Sequence, residues 1–205
     1  EELAPIRTQL GKKEGDVFLL SVSRLVHQKA IDIVIRALAL LPEHIKLAVV
    51  GDGPDREMLE SLAKELHVSD RVVFVGHVER TETAKFRKAC DIFVLPSRSE
   101  GQGISFLSTM LSGMSVITTQ EGGIADFLFD RVRNPNKPTT GWAVDVDNPE
   151  QIKTAVEEIL ANPERAQKVT MEAKALIKRQ YDWNQIAHDM KERVFDIVLR
   201  PLVKR

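Results

Sequence analysis

Three basic or acidic residues stand in the segments that follow short apolar runs: Arg24, Lys29 and Glu100. Arg24 and Lys29 follow the apolar segment Val17-Phe18-Leu19-Leu20-Ser21-Val22, and Glu100 opens Glu100-Gly101-Gln102-Gly103 after Ile92-Phe93-Val94-Leu95. Two cations of this kind can neutralise the charge that grows on a leaving diphosphate without a metal. Glu100 can accept hydrogen bonds from sugar hydroxyls. Glycines at 101 and 103 let an anion approach the main chain closely, and a helix opening at Gly103-Ile104 turns free N–H groups and a positive dipole end toward it. Taken alone, Arg24 and Lys29 would be solvated loop charges and Glu100 a helix-start charge. Several glycine-bearing segment ends in one chain favour the phosphate and sugar roles.

The elements that must position these residues follow one rhythm: a β-branched run, a turn, a helical pattern. Strands are expected at 17–22, 46–50, 71–75, 92–95 and 115–118, with Gly141-Trp142-Ala143-Val144 as a sixth. Helices are expected at 31–41, from Pro54 through Leu66, at 81–89, at 103–111 and, briefly, at 124–128. The stretch from Arg131 to Thr140, with Pro135 and Pro138, reads as a surface loop. Three helices close the chain, started by Asn148-Pro149 with Gln151, by Asn162-Pro163, and by Asp182 with Gln185. The last carries Trp183, Ile186, Met190, Val194 and Ile197 on one face, read as packing against another domain. Strands that are nearly all apolar and alternate with helices imply one α/β doubly wound, Rossmann-like parallel sheet of about six strands with C-terminal helices. Ligands of such sheets lie beyond the carboxyl ends of the strands. There the chain places Gly51-Asp52-Gly53, Gly76-His77-Val78, Pro96-Ser97 and Glu121-Gly122-Gly123. Gly51 and Gly53 serve either a tight turn or a ligand.

The order of Ser23-Arg24-Leu25-Val26-His27-Gln28-Lys29-Ala30, Val49-Val50-Gly51-Asp52-Gly53-Pro54, Asp91-Ile92-Phe93-Val94-Leu95-Pro96-Ser97 and Glu100-Gly101-Gln102-Gly103-Ile104 resembles the family 4 retaining glycosyltransferases. The resemblance runs from about Leu10 to the end and implies the C-terminal, donor-binding half of a GT-B fold. It implies that Arg24 and Lys29 contact the donor diphosphate, that Glu100 touches the donor sugar, and that amides around Gly103 and Ile104 bind phosphate. It places Gly76, His77 and Val78 beside the base, and Gly53, Ser97 and Gly101 in the same donor site. No prosthetic group is implied; the donor is a UDP-, GDP- or ADP-sugar. The family's second glutamate, which holds the ribose hydroxyls, is Ser108 here, and the glycines usual before the arginine and after the lysine are Ser23 and Ala30. The N-terminal acceptor domain, which supplies the family's catalytic histidine, is the missing partner. A donor domain that transfers no sugar without that partner is the first reading, and a non-catalytic binding or scaffolding relative is the second.

Composition removes other classes. The 205 residues are 43% hydrophobic and 29% charged, with a net charge of −1, so no basic excess exists for sequence-independent nucleic-acid binding. Gly51-Asp52-Gly53 lacks the third glycine of a dinucleotide fingerprint, since position 56 is Arg56, and no glycine-lysine-serine/threonine phosphate loop occurs. His44, His67 and His188 lack metal-ligand spacing, so no metal is expected. Cys90, the single cysteine, is expected to be a buried reduced thiol, which suits the cytosol. No signal peptide is visible in the opening residues, and Ile31 to Leu41 is too short to span a membrane. The tail from Arg193 to Arg205 reads as a packed crossover helix, with a helix at the cytoplasmic membrane surface as the alternative.

Overall fold

A computed structural model describes residues 3–198. A helix not anticipated from the sequence, α1 (Ala4–Leu10), precedes a strictly parallel six-stranded sheet. Its strands are β1 (Val17–Val22), β2 (Ile45–Val50), β3 (Val72–Gly76), β4 (Ile92–Val94), β5 (Ser115–Thr118) and β6 (Trp142–Ala143). They lie side by side in the order β3-β2-β1-β4-β5-β6. β1 is therefore central, and the winding reverses between β1 and β4, the position where such sheets open a crevice. Phe18, Leu19 and Leu20 of β1 and Phe93 and Val94 of β4 are fully buried, as two covered faces require.

Helices α2 (Ile31–Ala39), α3 (Arg56–Glu65), α4 (Thr83–Ala89), α5 (Ile104–Ser112), α6 (Pro149–Ala161) and α7 (Pro163–Gln180) flank the sheet. Their contacts divide them: α2 packs with α3 and α6, while α4 packs with α1 and α5, and α7 lies on α5 and β5. The rings of Phe93 and Phe106 meet edge to face at 5.5 Å and join β4 to α5.

Several boundaries differ from the sequence reading, each for a tertiary reason. Arg71 does not begin β3. It is buried, and its guanidinium donates to the carbonyls of Leu38, Leu41 and Pro42 through Nη2 and of Ile45 through Nε. It thereby satisfies carbonyls left free where α2 ends. α3 starts at Arg56 rather than Pro54, because the chain first turns to let Asp55 N donate to the Leu25 carbonyl. Residues 122–126 form a 3₁₀ turn instead of a helix at 124–128. Asn148 accepts from the Gln151 amide, and Asp182 from those of Asn184 and Gln185, as capping residues. Asn162 does not cap with its side chain, whose Nδ2 donates back to the Glu158 carbonyl.

The last helix, α8 (Trp183–Met190), runs into a π-helical stretch, Lys191–Phe195. Its apolar stripe is largely uncovered: Trp183 is 77% exposed, and Met190, Val194 and Ile197 are exposed with it. Through residue 198 the expected packed crossover helix is thus mostly uncovered by the described residues, with Ile186 only half-buried, and residues 199–205 lie outside those described. Among the described residues, no helix is long and apolar enough to cross a membrane.

Candidate donor-binding site

The strand-end loops meet because glycine lets backbone lie on backbone. Gly51 (φ +131°) sits so close to the loop after β1 that a Cβ would run into the Ser23 carbonyl, and one on Gly53 would strike the Leu25 carbonyl. Leu25 N donates to the Asp52 carbonyl at 3.0 Å, which zips the two loops. The same device recurs after β4 and β5, where Cβ atoms on Gly122 (φ +58°) and Gly123 would overlap the carbonyls of Glu100 and Gly101. Hydroxyls finish the framework: Ser21 Oγ donates to Val94 O, Thr118 Oγ1 to Leu95 O and Thr119 Oγ1 to Ser97 O, at 2.6–2.7 Å. Three bonds onto one segment, Val94 to Ser97, fix where the loop to Glu100 begins.

Beyond the ends of β1, β2 and β3 lies an open cleft of about 410 Å³, within the range of small-molecule sites. Ser23, Arg24, Gly51, Asp52, His77, Val78 and Thr83 line it, with Val22 and Val50. Arg24 is exposed, and its side chain makes no ion pair or hydrogen bond among the described residues. The buried Ser23 Oγ has no hydrogen-bond partner there either, and a buried hydroxyl left in that state is unusual. Gly76 (φ +85°) does not line the cleft itself but ties to it, its carbonyl accepting from Gly51 N at 2.8 Å. Gly53 is not part of the lining; its contact is with Leu25.

Beside the cleft, Lys29 Nζ donates to Glu100 Oε2 at 2.6 Å, with side-chain exposures of 23% and 12%. The fully buried Ser97 reaches the same oxygen at 3.4 Å. Two residues 71 positions apart in the chain are thereby joined across the β1/β4 switch point. Next to Glu100, Gly103 takes a left-handed conformation (φ +69°, ψ +47°) as the residue preceding α5, and no side chain caps that helix. A Cβ on Gly103 would press on the Phe106 ring, so the turn needs glycine. Gly101 is exposed, with open space where a Cβ would stand. Ile104 is 57% exposed, and Ser108, one turn further along the same face, is half-buried. The Ser108 Oγ donates to the Ile104 carbonyl at 3.0 Å. Arg24, His77 and Val78 therefore share the cleft, Lys29, Ser97 and Glu100 form a second cluster, and Ile104 and Ser108 lie on α5 with Gly103 just before it.

Arg98 went unnoticed in the sequence. Its guanidinium makes a fork with the Asp32 carboxylate (3.0 and 2.8 Å), and Asp32 foremost raises its pKa. No local signal marks it, since Asp32 is a first-turn residue of a distant helix. Cys90 is buried and reduced, its thiol pushed up to about 12 chiefly by desolvation. Among the described residues no three His, Cys, Asp or Glu side chains gather as a metal-ligand set.

These loops, on this sheet, are the arrangement that the family model of group 1 glycosyl transferases matches over residues 4–176. The chain belongs to that family. An uncharacterized glycosyltransferase of Methanocaldococcus jannaschii is 31% identical over 191 residues, covering 92% of this chain and 47% of that protein. A GDP-mannose-dependent α-(1-6)-phosphatidylinositol monomannoside mannosyltransferase of Mycolicibacterium smegmatis is 33% identical over 173 residues, covering 80% and 43%. The chain spans about half the length of these curated relatives or somewhat less. Anabaena HepE, solved with UDP and glucose, superposes with a TM-score of 0.83 at 21% identity over 94% of this chain and 51% of its own. The family's GT-B architecture accounts for the doubly wound sheet.

Proposed function

We propose that this chain is the nucleotide-sugar-binding, C-terminal half of a retaining, metal-independent glycosyltransferase, and that sugar transfer requires an acceptor-binding domain outside it. The observation that carries the reading is the Lys29–Glu100 pair, which sets a cation and a carboxylate 2.6 Å apart at the switch point, beside the uncapped start of α5. Lys29 and Arg24 would hold the donor diphosphate and offset the charge that builds as it leaves. The N–H groups at Gly103 and Ile104 would bind phosphate, Glu100 would hold sugar hydroxyls, and Gly76 to Val78 would flank the base. The unpartnered Ser23 hydroxyl supports a polar ligand in the cleft. A UDP-bound structural neighbour and a GDP-mannose-dependent relative favour a nucleotide-sugar without choosing the base. Cytoplasmic residence, with peripheral attachment of the whole enzyme to the membrane face, is consistent with that relative's lipid-linked acceptor.

Ser108 favours a second reading, a relative that keeps the fold but not donor affinity. Its short side chain is already engaged with Ile104, where the family's glutamate would hold ribose.

Thermal stabilisation by a panel of UDP-, GDP- and ADP-sugars, followed by calorimetry, separates the two. Binding by at least one, weakened roughly tenfold to a hundredfold by Arg24→Ala or Lys29→Ala, is expected. No binding at all supports the degenerate relative. Robust turnover by the 205-residue chain alone refutes the need for a second domain.

A further inference from the structure

We infer that Arg98 is a positioning residue that holds Lys29 against Glu100 by clamping the turn on which Lys29 rides. This rests on the donor-site reading above for its consequence, though not for its geometry.

Arg98 sits two residues before Glu100, and its bonds run to three other segments. Its backbone N–H donates to the Gln28 carbonyl at 2.8 Å, and Nη1 donates to the His27 carbonyl at 2.6 Å. Both acceptors belong to the 3₁₀ turn His27–Lys29. Nη1 and Nη2 grip Asp32, in the first turn of α2, while Nε donates to Asp147 Oδ1 at 2.7 Å. The turn is thus held on both sides of Lys29 and from the loop that leads into α6.

Backbone conformation shows why a clamp is needed. Ala30, directly after Lys29, has φ +53°, and Asp147 has φ +57°. A left-handed alanine costs about 1–2 kcal/mol, whereas aspartate tolerates the conformation better, so the segment after Lys29 is the one that most needs outside support. Arg98 bonds to both segments.

The donor count decides how Arg98 acts. A guanidinium has five N–H donors, and four are committed to Asp147, His27 and the two Asp32 oxygens. Its side chain is only 15% exposed. A direct diphosphate contact would require breaking the clamp. Lysine keeps the charge at this position but has no fork, so it cannot satisfy these acceptors together.

The test uses the full chain and the variant Arg98→Lys. Amines are acylated under limiting reagent and mapped by mass spectrometry, with exposed Lys174 as the internal control. Lys29, paired to Glu100, should react slowly in the wild type and several-fold faster in Arg98→Lys. Asp32→Asn, which cuts the clamp from the other side, should produce the same rise and serves if the lysine variant does not fold. Calorimetry with UDP, GDP and ADP then reads the consequence. For any that bind, Arg98→Lys should weaken affinity by about tenfold, as a displaced binding group does. In a Lys29→Ala background it should cost nothing further. Unchanged Lys29 labelling overturns the inference, and so does an affinity loss that adds fully to that of Lys29→Ala, which would mean direct ligand contact. If the wild type binds no nucleoside diphosphate, the glycosyltransferase reading falls, while the labelling result still decides the role of Arg98.

Discussion

Replacing Glu100 with glutamine should tighten the binding of a bare nucleoside diphosphate. In the free protein Lys29 is held by Glu100 at 2.6 Å, and both side chains are mostly shielded from water. On the proposed donor-site reading, a diphosphate must take Lys29 away from a carboxylate while that carboxylate repels it. A charge-assisted hydrogen bond of this kind contributes about 1.5–3 kcal/mol net. Glutamine keeps the size and removes the charge, so affinity for the diphosphate should rise by roughly ten- to 150-fold. A nucleotide-sugar gains the same freedom of Lys29 but loses a carboxylate acceptor for its sugar hydroxyls, a term of similar size and opposite sign. The ratio of the two affinities, measured by titration calorimetry with matched diphosphate and sugar ligands, should shift toward the bare diphosphate. In a Lys29→Ala background the gain should shrink to the part due to removed repulsion. Equal weakening of both ligands, or no change in either, would show that Lys29 and Glu100 do not share a ligand.

Ser108→Glu should tighten nucleotide binding by about 1–3 kcal/mol, because α5 rises about 6 Å from Ile104 to position 108 and the half-buried serine leaves room. Calorimetry with a 2′,3′-dideoxy nucleotide should show no such gain; an equal gain would mean that position 108 does not face ribose. Gly122→Ala should cost at least about 1–2 kcal/mol of stability and displace Glu100, whose carbonyl occupies the space of the new Cβ. Denaturant titration and nucleotide-sugar affinity should both fall, and neither falling would refute the packing argument. Cys90, with its thiol pushed up to about 12, should resist alkylation near neutral pH until the protein unfolds. The folded state keeps this proton as pH rises, so the associated stability is full below the ordinary thiol range and is lost between there and about 12. Rapid alkylation of the native chain would contradict the burial.

Much of this protein is written in short-range pattern. The apolar cores of β1, β2, β4 and β5 are legible because a strand buried on both faces needs a continuous run of apolar residues. The caps at Asn148 and Asp182 are legible because capping spans three residues. The glycines and charges at strand ends mark the loops of the candidate site, since the winding of such a sheet brings those ends to one edge. The partnerships that shape the site span longer distances. Arg98 meets Asp32 across 66 residues and Asp147 across 49, and Arg71 reaches α2 across 33. A carboxylate and a guanidinium carry no local mark of which partner they will find; only the packing of strands and helices sets the distance. The apolar stripe of α8 teaches the same from the other side. Its period declares a helix face, but whether that face is covered depends on what packs against it, and residues 3 to 198 leave Trp183 77% exposed. Periodicity is a property of neighbours in the chain, and contact is a property of neighbours in space.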